Sequence, residues 1–326
     1  MSAHCENGVT SNLLRHYGIE LSEPMIFGIG SGLFFTYLPF LKLNGAPVVS
    51  FRPLPGLIFK RITKALGVKT KTLRFPRNQK KAMAMLDTKL NEGIPVGMVV
   101  GVYHLTYFPA PYRFHFNAHN IIVFAKENSI YSVSDPIMET IETIGEKELQ
   151  RVRYAQGTYK PKGKMYFITK TPTQFDLKDA VRKSIKKTAK FMVVYPGQFI
   201  GDRAMHWLAK DIRKWPQKYD KRKAAKYLGS IIRMQEEIGT GGAGFRFLYA
   251  AFLQEAGELL NDNRFAEFSN EMTAIGDKWR LFATQAARVV KDRNDSATSY
   301  NSVADLLEEI ANDEKRFFSK LLKISF

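Results

Sequence analysis

His119-Asn-Ile-Ile-Val-Phe-Ala-Lys-Glu-Asn-Ser-Ile-Tyr-Ser-Val-Ser-Asp135-Pro136 is the stretch on which the fold turns. Apolar runs at 121–124 and 130–133, split by Glu127-Asn128-Ser129, predict two strands joined by a tight turn. Antiparallel pairing across so short a turn returns the chain to the end it left. It sets His119, at the start of one strand, beside Asp135, at the end of its partner. An imidazole held by a carboxylate is the base half of a nucleophilic site.

The nucleophile half is sought near the N-terminus, in Ala3-His4-Cys5-Glu6-Asn7. Cys5 is the single cysteine in 326 residues. Val9, Leu13 and Tyr17 recur every fourth residue and Gly18 follows as a stop, so Cys5 is predicted to begin a helix. A thiol there feels the positive end of the helix dipole, which favours the reactive thiolate. A lone cysteine is more commonly a small buried hydrophobe; its place at a helix start turns the reading toward a nucleophile. Six histidines compete for the base. His16 lies on the first helix, His104 inside an apolar run and His206 in a helical region, which leaves His4 and His115 as rivals to His119.

Working outward, strands are expected at 48–51, 68–75, 94–105 and 165–169, with helices at 57–66, 78–91 and 146–154. This is an α+β unit. Past Pro172 the texture changes to six helical segments, at 176–191, 202–215, 218–238, 245–260, 264–290 and 302–322. The expected organisation is an α+β domain over 1–170 and an all-α domain over 171–326. Pro24 to Leu41 is uncharged and just long enough to cross a bilayer. Its alternating Gly28, Gly30 and Gly32 read instead as turns and close approach inside a core.

The formal charge of +18 is unevenly spread. Ten Lys/Arg and no acid lie between Phe51 and Leu86; 17 Lys/Arg face 5 Asp between Arg151 and Asp220. Such a field attracts an acidic partner. No nucleic-acid-binding motif accompanies it, and an anionic membrane surface is less favoured. One cysteine excludes an internal disulfide, and the polar first ten residues do not read as a signal peptide; both suggest a cytoplasmic protein. With no cysteine pair, no metal site is expected.

The His119 strand and the Asp135-Pro136 turn resemble those of bacteriocin-processing peptidases. A closer resemblance is to the family of butirosin biosynthesis protein H. It runs through His4-Cys5, Gly18-Ile19, Leu21-Ser-Glu23-Pro24-Met-Ile-Phe27-Gly28-Ile-Gly30-Ser-Gly32, Ile94-Pro95-Val96 and the His and Asp segments. In the helical half it includes Ile238-Gly-Thr-Gly-Gly-Ala-Gly244-Phe-Arg246-Phe-Leu-Tyr249. The resemblance implies a papain-like N-terminal domain and a helical C-terminal one. It also implies acyl-thioester chemistry through Cys5, His119 and Asp135, because the family includes an acyltransferase that moves an acyl group from an acyl carrier protein to an amine. One departure concerns the oxyanion hole. The peptidases carry a Gln a few residues before the Cys, and only four residues precede Cys5 here. The Cys5 backbone N–H is one candidate donor; the second is unassigned.

The resemblance gives the basic stretches a candidate partner, since acyl carrier proteins are strongly acidic. Lys60, Arg61 and Lys64 are the expected docking residues. Gly239-Thr-Gly241-Gly-Ala-Gly244 fits a dinucleotide fingerprint formally, but a helix pattern precedes it where a strand is required. Its N–H groups, with Arg246, are expected at most to hold the phosphate of a pantetheine arm. No cofactor is expected beyond that arm, carried as part of the substrate. Three functions stand at this level: an acyltransferase, a cysteine hydrolase of the same fold, and a non-catalytic binding protein.

Overall fold

A computed structural model of the chain describes residues 1–293 and 299–326. In chain order the elements are α1 (Cys5–His16), α2 (Glu23–Ile29), β1 (Thr36–Leu43), β2 (Ala46–Ser50), α3 (Leu57–Ala65), β3 (Lys69–Leu73), α4 (Gln79–Asn91) and β4 (Val96–Val100). Then come β5 (His119–Glu127), β6 (Ile130–Ser134), β7 (Glu142–Gly145), α5 (Glu146–Arg153) and β8 (Met165–Lys170). The helices α6 (Leu177–Val193), α7 (Gly201–Lys218), α8 (Lys221–Ile232), α9 (Arg246–Leu260), α10 (Arg264–Val290) and α11 (Tyr300–Lys323) complete it.

The chain divides into two compact units, and the division is not the expected cut near residue 170. The first unit is Met1–Ile26 with Pro55–Phe175; the second is Phe27–Leu54 with Asp176–Phe326. The second unit is therefore not all-α, because the β1–β2 hairpin belongs to it. The reason lies in side chains that helical periodicity does not display. Thr36 Oγ1 donates to the Phe199 carbonyl at 2.7 Å and the Tyr37 hydroxyl to Asp211 at 2.7 Å. Phe35 and Phe51 both pack on Trp279. Gly28 lies so close to the Phe252 ring that a Cβ would sit 2.1 Å from it. The glycine-rich run is core, as its pattern suggested, but core of the second unit. Among the described residues no helix is long and apolar enough to cross a membrane.

The first unit is built on a six-stranded antiparallel sheet of order β3-β8-β4-β5-β6-β7. Every residue of β4 is buried, which requires cover on both faces. Met98, Val100, Ile121 and Val123 share one face with Leu86 of α4 and Leu149 of α5. On the other face lies Tyr166, whose ring meets Phe59 of α3, and α1 packs along β5. Burying each large aliphatic side chain here contributes roughly 1.5–3 kcal/mol.

Local signals set the ends of these elements. The Asn78 side chain accepts from Lys81 N at 2.8 Å to cap α4, and Gly18, Gly67 and Gly93 take the positive φ that follows a helix end. The hairpin turn is the two-residue Asn128-Ser129, with Asn128 at φ 53°. The pairing Val123↔Val133 and Ile122↔Ser134 fixes its register.

Candidate active site

α1 begins at Cys5, with His4 as its N-cap, and buries Val9 and Leu13. Two carboxylates that the sequence reading did not single out hold this end in place. Glu23 accepts from Ala3 N at 2.8 Å, from His4 N at 2.9 Å and from Asn7 Nδ2 at 3.3 Å. Fully buried Glu6 accepts from Ile58 N and Phe59 N at 3.0 and 3.3 Å, capping the first turn of α3. Ser2 N donates to the Pro136 carbonyl at 2.7 Å, and a Cβ on Gly8 would stand 2.3 Å from Pro136. Close packing of α1 on the Asp135-Pro136 turn thus requires glycine at position 8.

The hairpin does what its pattern predicts. His119 Nε2 lies 2.7 Å from Asp135 Oδ2, and both residues are 3% exposed. The same carboxylate accepts from the Tyr107 hydroxyl at 2.9 Å and from Ile137 N at 3.2 Å. Tyr107 is a further residue the sequence reading missed, hidden in an irregular aromatic loop. Its hydroxyl is pushed well above its ordinary range, by burial first and by Asp135 second, so it stays a neutral donor.

With Nε2 committed to Asp135, Nδ1 is the ring nitrogen left for the partly exposed Cys5 thiol, which hydrogen-bonds His119. Burial alone would depress the imidazole. The Asp135 carboxylate and the Cys5 sulfur outweigh it and push the ring up to about 10. Such a ring is protonated at neutral pH and favours the thiolate beside it.

The rival histidines lie elsewhere. His115 is exposed and stacks on Tyr103 at 4.2 Å; His4 caps α1 through its backbone; His16 is exposed against Tyr17. His115 and His119 do stand four residues apart, but on a loop running into a strand. Among the described residues no three His, Cys, Asp or Glu side chains are grouped as metal ligands.

The docking residues divide. Lys60 and Lys64 are exposed one turn apart on α3. Arg61 is half-buried, its guanidinium lowered by desolvation while Glu6 opposes the shift. A cavity of about 620 Å³ is lined by Arg77, Tyr154, Gln156, Lys160 and Lys162, with no acidic residue. It lies where β3 ends and β8 begins, the end of the sheet that carries His119, two to three strands from β5. At about 4.8 Å per strand it stands roughly 10–15 Å from the imidazole and is distinct from it.

Arg246 corrects an expectation. It is fully buried in the second unit, its Nε and Nη2 on Glu314 at 2.8 and 2.9 Å and its Nη1 on the Gly244 carbonyl at 2.8 Å. The glycine loop beside it is occupied by the chain itself: Gly242 N donates to Thr240 Oγ1 and Ala243 N to Glu236 Oε1, both at 3.1 Å. Arg246 therefore does not face outward to hold a phosphate, and the Gly242 and Ala243 N–H groups are already engaged.

Fold and site thus set a thiol at a helix start facing a histidine on an antiparallel sheet. The family model for the butirosin biosynthesis protein H N-terminal domain matches residues 4–136, and that for a domain of unknown function (DUF4872) matches residues 147–321. The second of these models spans just over half of the chain, which therefore belongs to the family of that domain of unknown function, while its N-terminal part is similar to the butirosin biosynthesis protein H N-terminal domain. No curated protein matches the chain. Among solved structures it is similar to a C39-like peptidase from Bacillus anthracis, at 11% identity and a TM-score of 0.36. That match covers 52% of this chain and 90% of the other.

Proposed function

We propose that the protein is a cysteine acyltransferase that takes an acyl group from a carrier-bound thioester and gives it to an amine, with Cys5, His119 and Asp135 as its triad. The observation that carries this reading is the His119 ring held at 2.7 Å by a buried carboxylate while hydrogen-bonded to the thiol at the start of α1. The Cys5 thiolate attacks the thioester carbonyl, forming a sulfur–carbon bond as the π electron pair moves to oxygen. Collapse returns that pair and breaks the bond to the carrier sulfur, which takes the proton from His119. The amine then attacks acyl-Cys5, His119 accepts its proton, and the amide leaves as the thiolate is restored. Asp135 keeps the ring oriented and supports its positive charge.

The similarity of residues 4–136 to a domain named for butirosin biosynthesis supports the acyl-transfer reading over simple binding. The exposed Lys60 and Lys64, and the acid-free cavity with Arg77, Lys160 and Lys162, suit a donor that is an acidic carrier with a phosphate-bearing arm.

The test is direct. Acyl-carrier thioester is mixed with the protein, and intact mass and peptide mapping read acylation of Cys5. Discharge is then timed with and without an amine. Acyl-Cys5 released faster by amine than by water fits a transferase. Equal release in both makes the protein a hydrolase, and no acylation by any carrier or pantetheine thioester defeats acyl-thioester chemistry altogether.

A further inference from the structure

The position after the histidine carries a second feature of the site. Side chains alternate along a strand, so Asn120 leaves β5 on the face opposite His119. His119 shares its face with Ile121 and Val123, toward α4 and α5, whereas Asn120 points toward Tyr166 and α1. The Cys5 sulfur, lying across the strand end, meets groups from both faces. His119 reaches it from one, and Asn120 Nδ2 stands 3.7 Å from it on the other.

The orientation of that amide is fixed by its neighbours. Its nitrogen lies 3.3 Å from the Ala118 carbonyl, which can only accept, so the nitrogen edge faces that carbonyl and the sulfur. Its oxygen accepts from the Tyr166 hydroxyl at 2.9 Å. Burial raises the Tyr166 phenol well above its usual range, with Glu6 and Cys5 adding to the shift, so it remains a donor. The Tyr166 ring is in turn wedged on Phe59 at 4.7 Å. Asn120 is 2% exposed. An amide with both ends held and one N–H directed at a nucleophilic sulfur is preorganised, at no cost when charge develops there.

We propose that Asn120 is a catalytic residue, the side-chain donor of the oxyanion hole. Its Nδ2–H hydrogen-bonds the resting Cys5 sulfur. After attack the same N–H, without reorienting, serves the carbonyl oxygen, which lies two bonds beyond that sulfur and within reach of a donor 3.7 Å from it. The Cys5 backbone N–H, in the first turn of α1, is its partner. This rests on the acyl-thioester reading above.

The experiment separates the two. Single-turnover acylation of Cys5 by a small acyl thioester is compared with Cys5 alkylation by iodoacetamide on its high-pH plateau, which needs a thiolate but no oxyanion. Asn120→Ala should slow acylation about 10²–10³-fold and leave plateau alkylation within about 3-fold. Asn120→Asp keeps the shape and loses the donor; it should show the same split and decides the matter if the alanine variant does not fold. Undiminished acylation in a folded variant overturns the assignment while the acyltransfer reading stands. Equal loss of acylation and alkylation makes Asn120 a structural brace. A wild-type protein that alkylates normally but accepts no thioester ends both.

Discussion

Among the described residues each unit of the molecule buries an ion pair, His119–Asp135 in the first and Arg246–Glu314 in the second, and the two differ in what surrounds them. In the second unit Glu314 accepts from Nε and Nη2 of Arg246 and from the Trp279 indole N–H, the last at 2.7 Å, while Arg246 stacks over Trp279 with its charge centre 5.0 Å from the ring. All three Arg246 nitrogens and both Glu314 oxygens are engaged within the protein. In the first unit the cation is an imidazole. One of its nitrogens meets Asp135 and the other is left for a partly exposed thiol. A pair closed on all sides holds helices together. A pair with one side open to a reactive atom is equipped to move a proton.

Four experiments bear on that contrast. The largest effect should come from Cys5→Ser, which removes the sulfur and leaves both ion pairs intact. Thioester turnover should fall by about 10⁴-fold or more with an unchanged melting curve; a fully active Cys5→Ala protein would leave the open pair with no chemistry to serve. Next is Arg246→Ala, which strands a buried carboxylate. Denaturant unfolding should show a loss of about 3–5 kcal/mol. Cys5 alkylation in the fraction that remains folded should be unchanged, and a parallel loss of thiol reactivity would mean the two pairs are not separate in role.

The third is a pH series. Folding favours the protonated His119 ring, raised from an ordinary 6.5 to about 10 against the lowering effect of its burial. The stability it contributes is therefore full below about pH 6.5 and drains away as pH climbs through about 10. Asp135→Asn should flatten this slope in urea midpoints measured across the window. An identical slope in the variant would show that the carboxylate does not hold the ring charged. The smallest effect belongs to the surface. Lys60→Glu with Lys64→Glu should raise KM for a carrier-bound donor several-fold, more at low salt than beyond about 0.1 M, where the Debye length is about 10 Å. A small thioester mimic should notice nothing, and an equal loss on both donors would move these lysines into the fold or the site.

Much of the first unit was legible because its signals are local. The α1 periodicity, the Asn128 turn and the β5–β6 alternation each depend on neighbours within a few residues. The His119–Asp135 juxtaposition follows from the turn alone. What the pattern did not carry was contact between distant segments. Glu23 braces the start of α1 from 19 residues away and Glu6 caps α3 from 52 residues away, and nothing in their spacing announces it. Arg246 was misread because a basic residue after a glycine loop looks solvent-facing until its partner, 68 residues later, is seen. The β1 strand was passed over for a related reason: its fit depends on Phe199, Asp211 and Trp279, all far along the chain. Asn120 lay in plain view beside His119, but strand alternation alone directs it away from the imidazole.

The split ownership of the early chain bears on how the protein is made. Phe27–Leu54 leaves the ribosome long before the helices it belongs with, since Asp176 follows about 120 residues later. At roughly 5–20 residues per second that is a wait of about 6–25 s. Through it the nascent chain holds Phe35, Tyr37 and Phe51, all buried in the finished protein, with no helix yet to cover them. The first unit can close around this segment only by looping it out. A fragment ending near residue 170 would keep that loop permanently bare and prone to stick to other chains, whereas one that also omits 27–54 would not.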